Sequence, residues 1–375
     1  MGSGIDDLSQ AKRLVVKIGS ALVSEANTFR SAWLEQLAAD IAFLRSNGTQ
    51  VILVSSGAIA LGRAFLGKTP PKKLEEKQAA AALGQPVLMA ALSNAFAPHD
   101  IVVAQALLTL DDTENRRRWL NARATLETLL DAGVLPVINE NDTVATDEIR
   151  YGDNDRLAAR VAGMIGADML ILLSDVDGLY TADPRTEDSA RHISHLSEVT
   201  SDIERMAGGI NQDAAIGSGG MTTKLAAAKI AYAAGCTTII TQGRETYPLR
   251  AIIDGARATR IVPPLSPDKA RETWLRSHLN PKGTIILDSG AVTAVQRGAS
   301  LLPVGVSDVI GQFERGSAVA LKDPEGTLIG KGISAYSAAD IAQLKGLHSD
   351  AAEAILGYRG RPAIVHRDDL VLDKV

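Results

Sequence analysis

The 375-residue sequence predicts a three-layer α/β fold, an open and mainly parallel sheet flanked by helices, followed by a small β-barrel. Three observations carry this. From residue 12 to about 262, short β-branched runs alternate with longer amphipathic ones. The strand-like runs hold few alternating polar residues, the pattern of strands buried on both faces. From Gly283 onward, short β-rich runs such as Thr284-Ile285-Ile286-Leu287 and Ala318-Val319-Ala320-Leu321 are separated by closely spaced glycines, as in small barrels.

In chain order, strands are expected at Leu14 to Ile18, Val51 to Val54, Ile101 to Ala106, Val134 to Ile138, Met169 to Leu173 and Thr237 to Thr241. Helices are expected at Ser31 to Ser46, Lys72 to Ala95, Glu114 to Leu130, Asn154 to Ile165 and Thr222 to Ala234. Several end in the glycine that helix C-termini favour, at Gly48, Gly133 and Gly235. Four of the fourteen prolines, at 263, 264, 267 and 281, flank one short helical stretch, Lys269 to Leu279. The expected organisation is therefore an α/β domain over residues 1–262, a connector over 263–282 and a barrel over 283–375.

Composition narrows the function classes. Hydrophobic residues make up 46% and charged residues 22%, which excludes a disordered, collagen-like or coiled-coil chain. Thirty-nine basic residues against 44 acidic ones give a net charge of −5, which excludes a globally basic nucleic-acid binder. The single cysteine, Cys236, cannot close an intrachain disulfide, and a reducing cytoplasm is expected. The first residues lack a signal-peptide pattern, because Lys17 interrupts the only apolar run, and no stretch reaches the ~18 consecutive apolar residues of a membrane span. His192 and His195 lack a third ligand and fall in an expected loop, so a metal-free scaffold is expected.

Residues Gly62 to Thr69 satisfy the Walker A pattern letter for letter. The context is wrong. A helix-like run precedes them, and Pro70-Pro71 follow, so Thr69 is a poor first helical residue. The cluster Gly217-Ser218-Gly219-Gly220-Met221-Thr222-Thr223-Lys224 is better placed, because it runs directly into an alanine-rich helix. Glycines let backbone N–H groups approach phosphate oxygens, and the helix N-terminus and a lysine add positive potential. Lys17 stands where a buried strand calls for an apolar residue, which is costly unless its ammonium meets an anion at the strand's C-terminal edge. Ser55-Ser56-Gly57 follows the next strand, and the acidic-amide stretches Asn139-Glu140-Asn141-Asp142 and Gly152-Asp153-Asn154-Asp155 follow the fourth. Such a stretch could bind a substrate ammonium, hold Mg²⁺ or solvate a loop.

These segments, with Ser174-Asp175-Val176-Asp177-Gly178-Leu179-Tyr180, resemble the glutamate-phosphorylating branch of the amino-acid kinase family, in the right order over nearly the whole chain. The barrel segment, with Leu301-Leu302-Pro303, Phe313-Glu314-Arg315-Gly316 and Gly330-Lys331-Gly332-Ile333-Ser334, resembles the PUA domain found at the C-terminus of such bacterial kinases. Ser174 stands where a threonine is common, and keeps the hydroxyl. The resemblance implies an amino-acid kinase fold and a cytoplasmic phosphotransferase that uses ATP and Mg²⁺ to phosphorylate the side-chain carboxylate of L-glutamate, opening proline biosynthesis. It implies that Lys17, Lys224 and Asp155 are catalytic, with Asp155 orienting the two lysines. Ser56, Asp142 and Asn154 would hold glutamate, with help from Asp153. Lys17, Gly19, Ser174, Asp175, Ser218, Gly219, Gly220, Met221, Thr222, Thr223 and Lys224 would bind ATP, which carries the Mg²⁺. Proline feedback inhibition and a homo-oligomer, a tetramer, follow from the same resemblance.

Aspartate- and acetylglutamate-phosphorylating relatives share individual motifs, but a carboxylate such as Asp142 suits a free α-ammonium better than an N-acylated one. PUA domains elsewhere bind structured RNA. Here residues 283–375 hold 9 Lys and Arg against 11 Asp and Glu and three aromatics, which disfavours RNA as the principal partner.

Overall fold

The computed structural model describes residues 7–25, 28–67, 71, 73–144, 153–209, 220–358 and 360–373. Its contacts divide the chain into two compact units, Met1–Asp268 and Lys269–Val375.

The first unit is built on an eight-stranded sheet of β1 (Arg13–Ile18), β2 (Gln50–Ser55), β3 (Val103–Leu108), β4 (Leu135–Glu140), β5 (Met169–Ser174), β6 (His195–Leu196), β7 (Thr237–Gln242) and β8 (Ala258–Ile261). Their spatial order is β6-β8-β7-β5-β1-β2-β4-β3. Every neighbouring pair is parallel except β7 with β8. The helices that matter for the site are α1 (Ser31–Ser46), α2 (Ala58–Leu66), α3 (Leu74–Phe96), α4 (Arg116–Asp131), α5 (Asp153–Ile165) and α6 (Met221–Ala233). Two separate apolar clusters are buried in this unit. One holds α1, α3 and residues such as Val16 and Leu53, the other α5, α6 and residues such as Val15 and Ile52. Alternate residues of one strand thus enter opposite cores, the signature of a sheet covered on both faces.

The six expected strands and five expected helices are all present, with boundaries within two residues. Two strands escape the sequence pattern. β6 has two residues and β8 four, and β8 runs antiparallel at one side of the sheet, where no β-branched run marks it. The expected loop around His192 and His195 is also extended structure. His192–Ile193 pairs with Leu179–Tyr180, and His195 belongs to β6.

The Walker-like glycines serve helix packing. A Cβ at Gly62 would lie 1.8 Å from the Ala80 carbonyl oxygen, and one at Gly84 1.8 Å from that of Ala58, so α2 and α3 touch backbone to backbone. Lys68, Thr69 and Pro70 lie outside the described residues. Together with the turn to His99, α3 is, among the described residues, the one helix long and apolar enough to cross a membrane by length and composition. Its buried face, with Leu88, Leu92 and Phe96, lies in the first core cluster.

The second unit takes up all but the first two residues of the helix Pro267–His278 and carries a five-stranded sheet of β9 (Gly283–Leu287), β10 (Val306–Ile310), β11 (Ala318–Lys322), β12 (Leu328–Ser334) and β13 (Val365–Leu372). Its order is β10-β9-β11-β12-β13, antiparallel except for β9 with β11. Ile285, Leu287, Phe313, Leu321, Ile341 and Ile364 are among the residues of its own core.

Candidate active site

Parallel strands deliver their C-terminal ends to one edge, and the candidate residues collect there. Lys17 is the fifth residue of β1, flanked by Val54 of β2 and Leu172 of β5, and is only 6% exposed. Its Nζ reaches Oδ1 of Asp155 at 2.7 Å. Asp155, in the first turn of α5, is completely buried. Its Oδ2 lies 3.8 Å from Nζ of Lys224, in the first turn of α6 and itself 4% exposed. The Thr223 hydroxyl lies 3.0 Å from Asp155 Oδ2 and 2.8 Å from the Gly220 carbonyl oxygen. Two ammonium groups thus share one carboxylate in a site closed to bulk water.

The electrostatics follow from that arrangement. Burial alone would push the Asp155 carboxyl up, but Lys17 and Lys224, with hydrogen bonds from Lys17 and Thr223, hold it below the usual carboxylate range. Burial pushes the Lys224 ammonium below the ordinary lysine value, Asp155 opposing the shift and Lys17 adding to it. Together the three side chains carry one net positive charge in a low-dielectric setting. An anion arriving there meets a preorganised cation pair rather than a solvated one.

Beside this charged centre runs a neutral chain of amides. Asn154, next to Asp155 in α5, donates from Nδ2 to Ser56 Oγ at 2.9 Å and to Asn139 Oδ1 at 3.1 Å. Asn139 donates from its own Nδ2 to Gln85 Oε1 at 2.8 Å. Ser56 precedes Gly57, whose φ of 115° lies in the left-handed region that favours glycine and lets β2 turn directly into α2. Next to this chain is a cleft of about 230 Å³ lined by Gln85, Gln105, Glu140, Asn141 and Asp142, with apolar walls from Ala81 and Leu107 among others. Asp142 is 8% exposed there.

On the other side of the charged centre, a Cβ at Gly19 would lie 4.0 Å from Lys17 Nζ. Ser174 ends β5 and donates to Asp175 Oδ1 at 3.0 Å, while its carbonyl accepts from the Gly243 N–H at 2.7 Å. Gly220 is the N-cap of α6, no side-chain cap closes it among the described residues, and this end carries the positive pole of a 13-residue helix. Ser218 and Gly219 lie outside the described residues, as does the side chain of Asp153.

A buried lysine pair held by one carboxylate thus lies at the sheet edge, and the glycine-led helix α6 starts beside it. The sequence matches the model of the amino acid kinase family over residues 12–242 and that of the PUA domain over 283–356. The chain belongs to the amino acid kinase family. Its relatives include proteins named glutamate 5-kinase from Paramagnetospirillum magneticum, 56% identical over 98% of this chain and 99% of its own length, and from Caulobacter vibrioides, 56% identical over 96% and 97%. Glutamate 5-kinase 1 of Rhizobium meliloti is 53% identical over 97% of this chain and 93% of its own.

Within this amino acid kinase, the fold brings Lys17, Asp155 and Lys224 into one ion cluster and Ser56 and Asn154 into one hydrogen-bonded pair, with Asp142 in the adjoining cleft. Sequence reasoning passed over Gln85 and gave Asn139 no role. A signal for Gln85 was available. It sits four residues from Ala81 and three from Leu88 on the apolar stripe of α3, where a glutamine is out of place. The link from Thr223 to Asp155 could not be foreseen, since 68 residues separate them. The thiol of Cys236 is buried, and desolvation pushes it up.

Proposed function

We propose that this kinase transfers the γ-phosphoryl group of ATP to the side-chain carboxylate of L-glutamate, giving L-glutamyl 5-phosphate, the opening step of proline biosynthesis. The observation that carries it is the buried Lys17–Asp155–Lys224 cluster, joined through Asn154 to an amide-lined cleft with Asp142 in its lining. In this reading residues 1–262 form the catalytic domain, 263–282 the connector and 283–375 the PUA-like domain.

The chemistry suits the residues present. A γ-carboxylate with a pKa near ~4.3 is already ionised at neutral pH, so no general base is needed, and none is asked of Asp155, whose carboxyl is held ionised. A carboxylate oxygen forms the new bond to phosphorus, the bond from the γ-phosphorus to the bridging oxygen breaks, and ADP leaves. Bringing an anion against a polyanion is the difficulty, and positioning with cation support is the remedy. Lys17 and Lys224 supply the charge, and Asp155 fixes both ammonium groups. Gly19, Gly220 and the first turn of α6 offer backbone donors to the phosphates, with Ser218 and Gly219 completing that loop. Ser174 and Asp175 line the nucleotide side. Ser56, Asn154 and Asp142 hold glutamate, assisted by Asp153. Mg²⁺ arrives with ATP and neutralises phosphate charge.

Feedback inhibition by proline, a homotetramer and a cytoplasmic setting rest on the family resemblance. The test of the activity is chemical trapping. Incubation with ATP, Mg²⁺, L-glutamate and hydroxylamine should yield glutamyl hydroxamate, with little product from L-aspartate or N-acetylglutamate. Hydroxamate from either alternative and none from glutamate would reassign the substrate.

A further inference from the structure

The amide chain beside the charged centre has a fixed polarity, and it ends in a donor. Asn139 Oδ1 accepts the backbone N–H of Glu140 at 2.9 Å as well as Asn154 Nδ2. A backbone N–H cannot turn into an acceptor, so it sets which end of the Asn139 amide is oxygen. The Asn139 nitrogen must then point to Gln85, and it meets Gln85 Oε1. The Gln85 amide is oriented in turn, its Nε2 left over. That nitrogen is buried with no hydrogen-bond partner among the described residues, on a residue 9% exposed that lines the 230 Å³ cleft. A buried donor without a partner is costly, and proteins keep one where a ligand completes it.

Asp142 lines the same cleft. A donor and a carboxylate together fit a zwitterionic α-amino-acid head, the donor taking a carboxylate oxygen and the carboxylate taking the ammonium. Gln85 is removed from the reacting end by two links of the chain, Asn139 and Asn154, and Asn154 is the neighbour of Asp155. Resting on the glutamate reading above, we propose that Gln85 is a specificity-determining residue whose Nε2 donates to the α-carboxylate of the substrate, with Asp142 taking the α-ammonium in the same cleft.

Two substrates isolate that contact. 4-Aminobutanoate keeps the reacting carboxylate and the ammonium of glutamate and lacks the α-carboxylate. Hydroxamate kinetics on the full-length protein would be compared for wild type, Gln85→Met, which keeps the volume and removes both the donor and the acceptor that Asn139 uses, and Gln85→Glu, which is isosteric, keeps that acceptor and replaces the donor by a negative charge. The KM for L-glutamate should rise roughly 10- to 100-fold in Gln85→Met, the range for a hydrogen bond to a charged group, and further in Gln85→Glu. The KM for ATP and kcat should stay within about twofold, and kcat/KM for 4-aminobutanoate should not fall, so that discrimination between the two substrates collapses. A variant that loses glutamate and 4-aminobutanoate equally, or that leaves the glutamate KM unchanged, overturns the assignment. If Gln85→Met fails to fold, Gln85→Glu decides by the same ratio. A wild-type protein that forms no hydroxamate from glutamate overturns the substrate reading itself, an outcome distinct from an active wild type whose Gln85 variants behave normally.

Discussion

Around Asp155 the protein buries charge, and around Asn139, at the C-terminal end of a strand of the same sheet, it buries neutral amides. The charged region is three side chains from three elements, β1, α5 and α6, held within 3.8 Å of one carboxylate. The neutral region is four side chains in a chain of hydrogen bonds from α3 through β4 and α5 to the turn after β2. The difference follows the two tasks. Transfer of a phosphoryl group needs charge where charge moves, and charge in a dry site is strong but nonselective. Choosing one small zwitterion needs directional donors and acceptors, which discriminate because an unmet amide is penalised. Changes in the first region should therefore appear in kcat, and changes in the second in the KM for the amino acid.

The largest effect is expected from Asp155→Asn. It leaves two lysines buried against each other without their shared carboxylate, and removing one partner from a buried ion cluster costs on the order of 3–5 kcal/mol. Thermal unfolding should show that loss, together with a fall in kcat of about 100-fold or more. The pH dependence has a definite sign. Because the folded Asp155 carboxyl titrates below its ordinary value, its contribution to stability is present above a pH of about 4 and is lost as pH falls through the lowered value. Acid unfolding of Asp155→Asn should lack that component.

Asp142→Ala should act on the other side, raising the KM for glutamate roughly tenfold while that for ATP stays within about twofold. Equal effects on both substrates would erase the division between regions. A smaller effect is expected from Lys224 titration. Its ammonium in the free protein loses its proton below the ordinary lysine value of 10.5, so the alkaline decline of kcat/KM should sit below that pH, and a decline at or above it would mean that burial does not govern this charge. Smallest of all should be Thr223→Val, which removes one hydrogen bond to Asp155 while the salt bridges remain, a roughly threefold to tenfold fall in kcat with unchanged KM values.

The two regions were also unequally legible in the sequence. Lys17 betrayed itself as a charge inside an apolar strand, and Lys224 as the end of a glycine cluster opening a helix, because both break a periodic pattern. Asp155, Asn154 and Asp142 stood within dense polar stretches that could as well have been solvated loops, and only the family resemblance separated them. Gln85 left only the weaker signal of a neutral amide on the apolar stripe of an alanine-rich helix, Asn139 was one polar residue of a dense stretch, and their meaning lies in a contact between residues 54 positions apart. The sheet itself was readable because buried parallel strands are continuous β-branched runs, whereas the four-residue β8 and the two-residue β6 owe their pairing to their neighbours rather than to their own sequence.

In the proposed function the lysine cluster acts on the moving phosphoryl group and not on holding the substrates. That role is tested most directly by Lys224→Ala, with calorimetric Kd values for ATP and glutamate measured beside kcat. The expected result is a kcat lowered by about 100-fold or more with both Kd values within roughly threefold of wild type. An unchanged kcat, or a loss explained entirely by weaker binding, would contradict it.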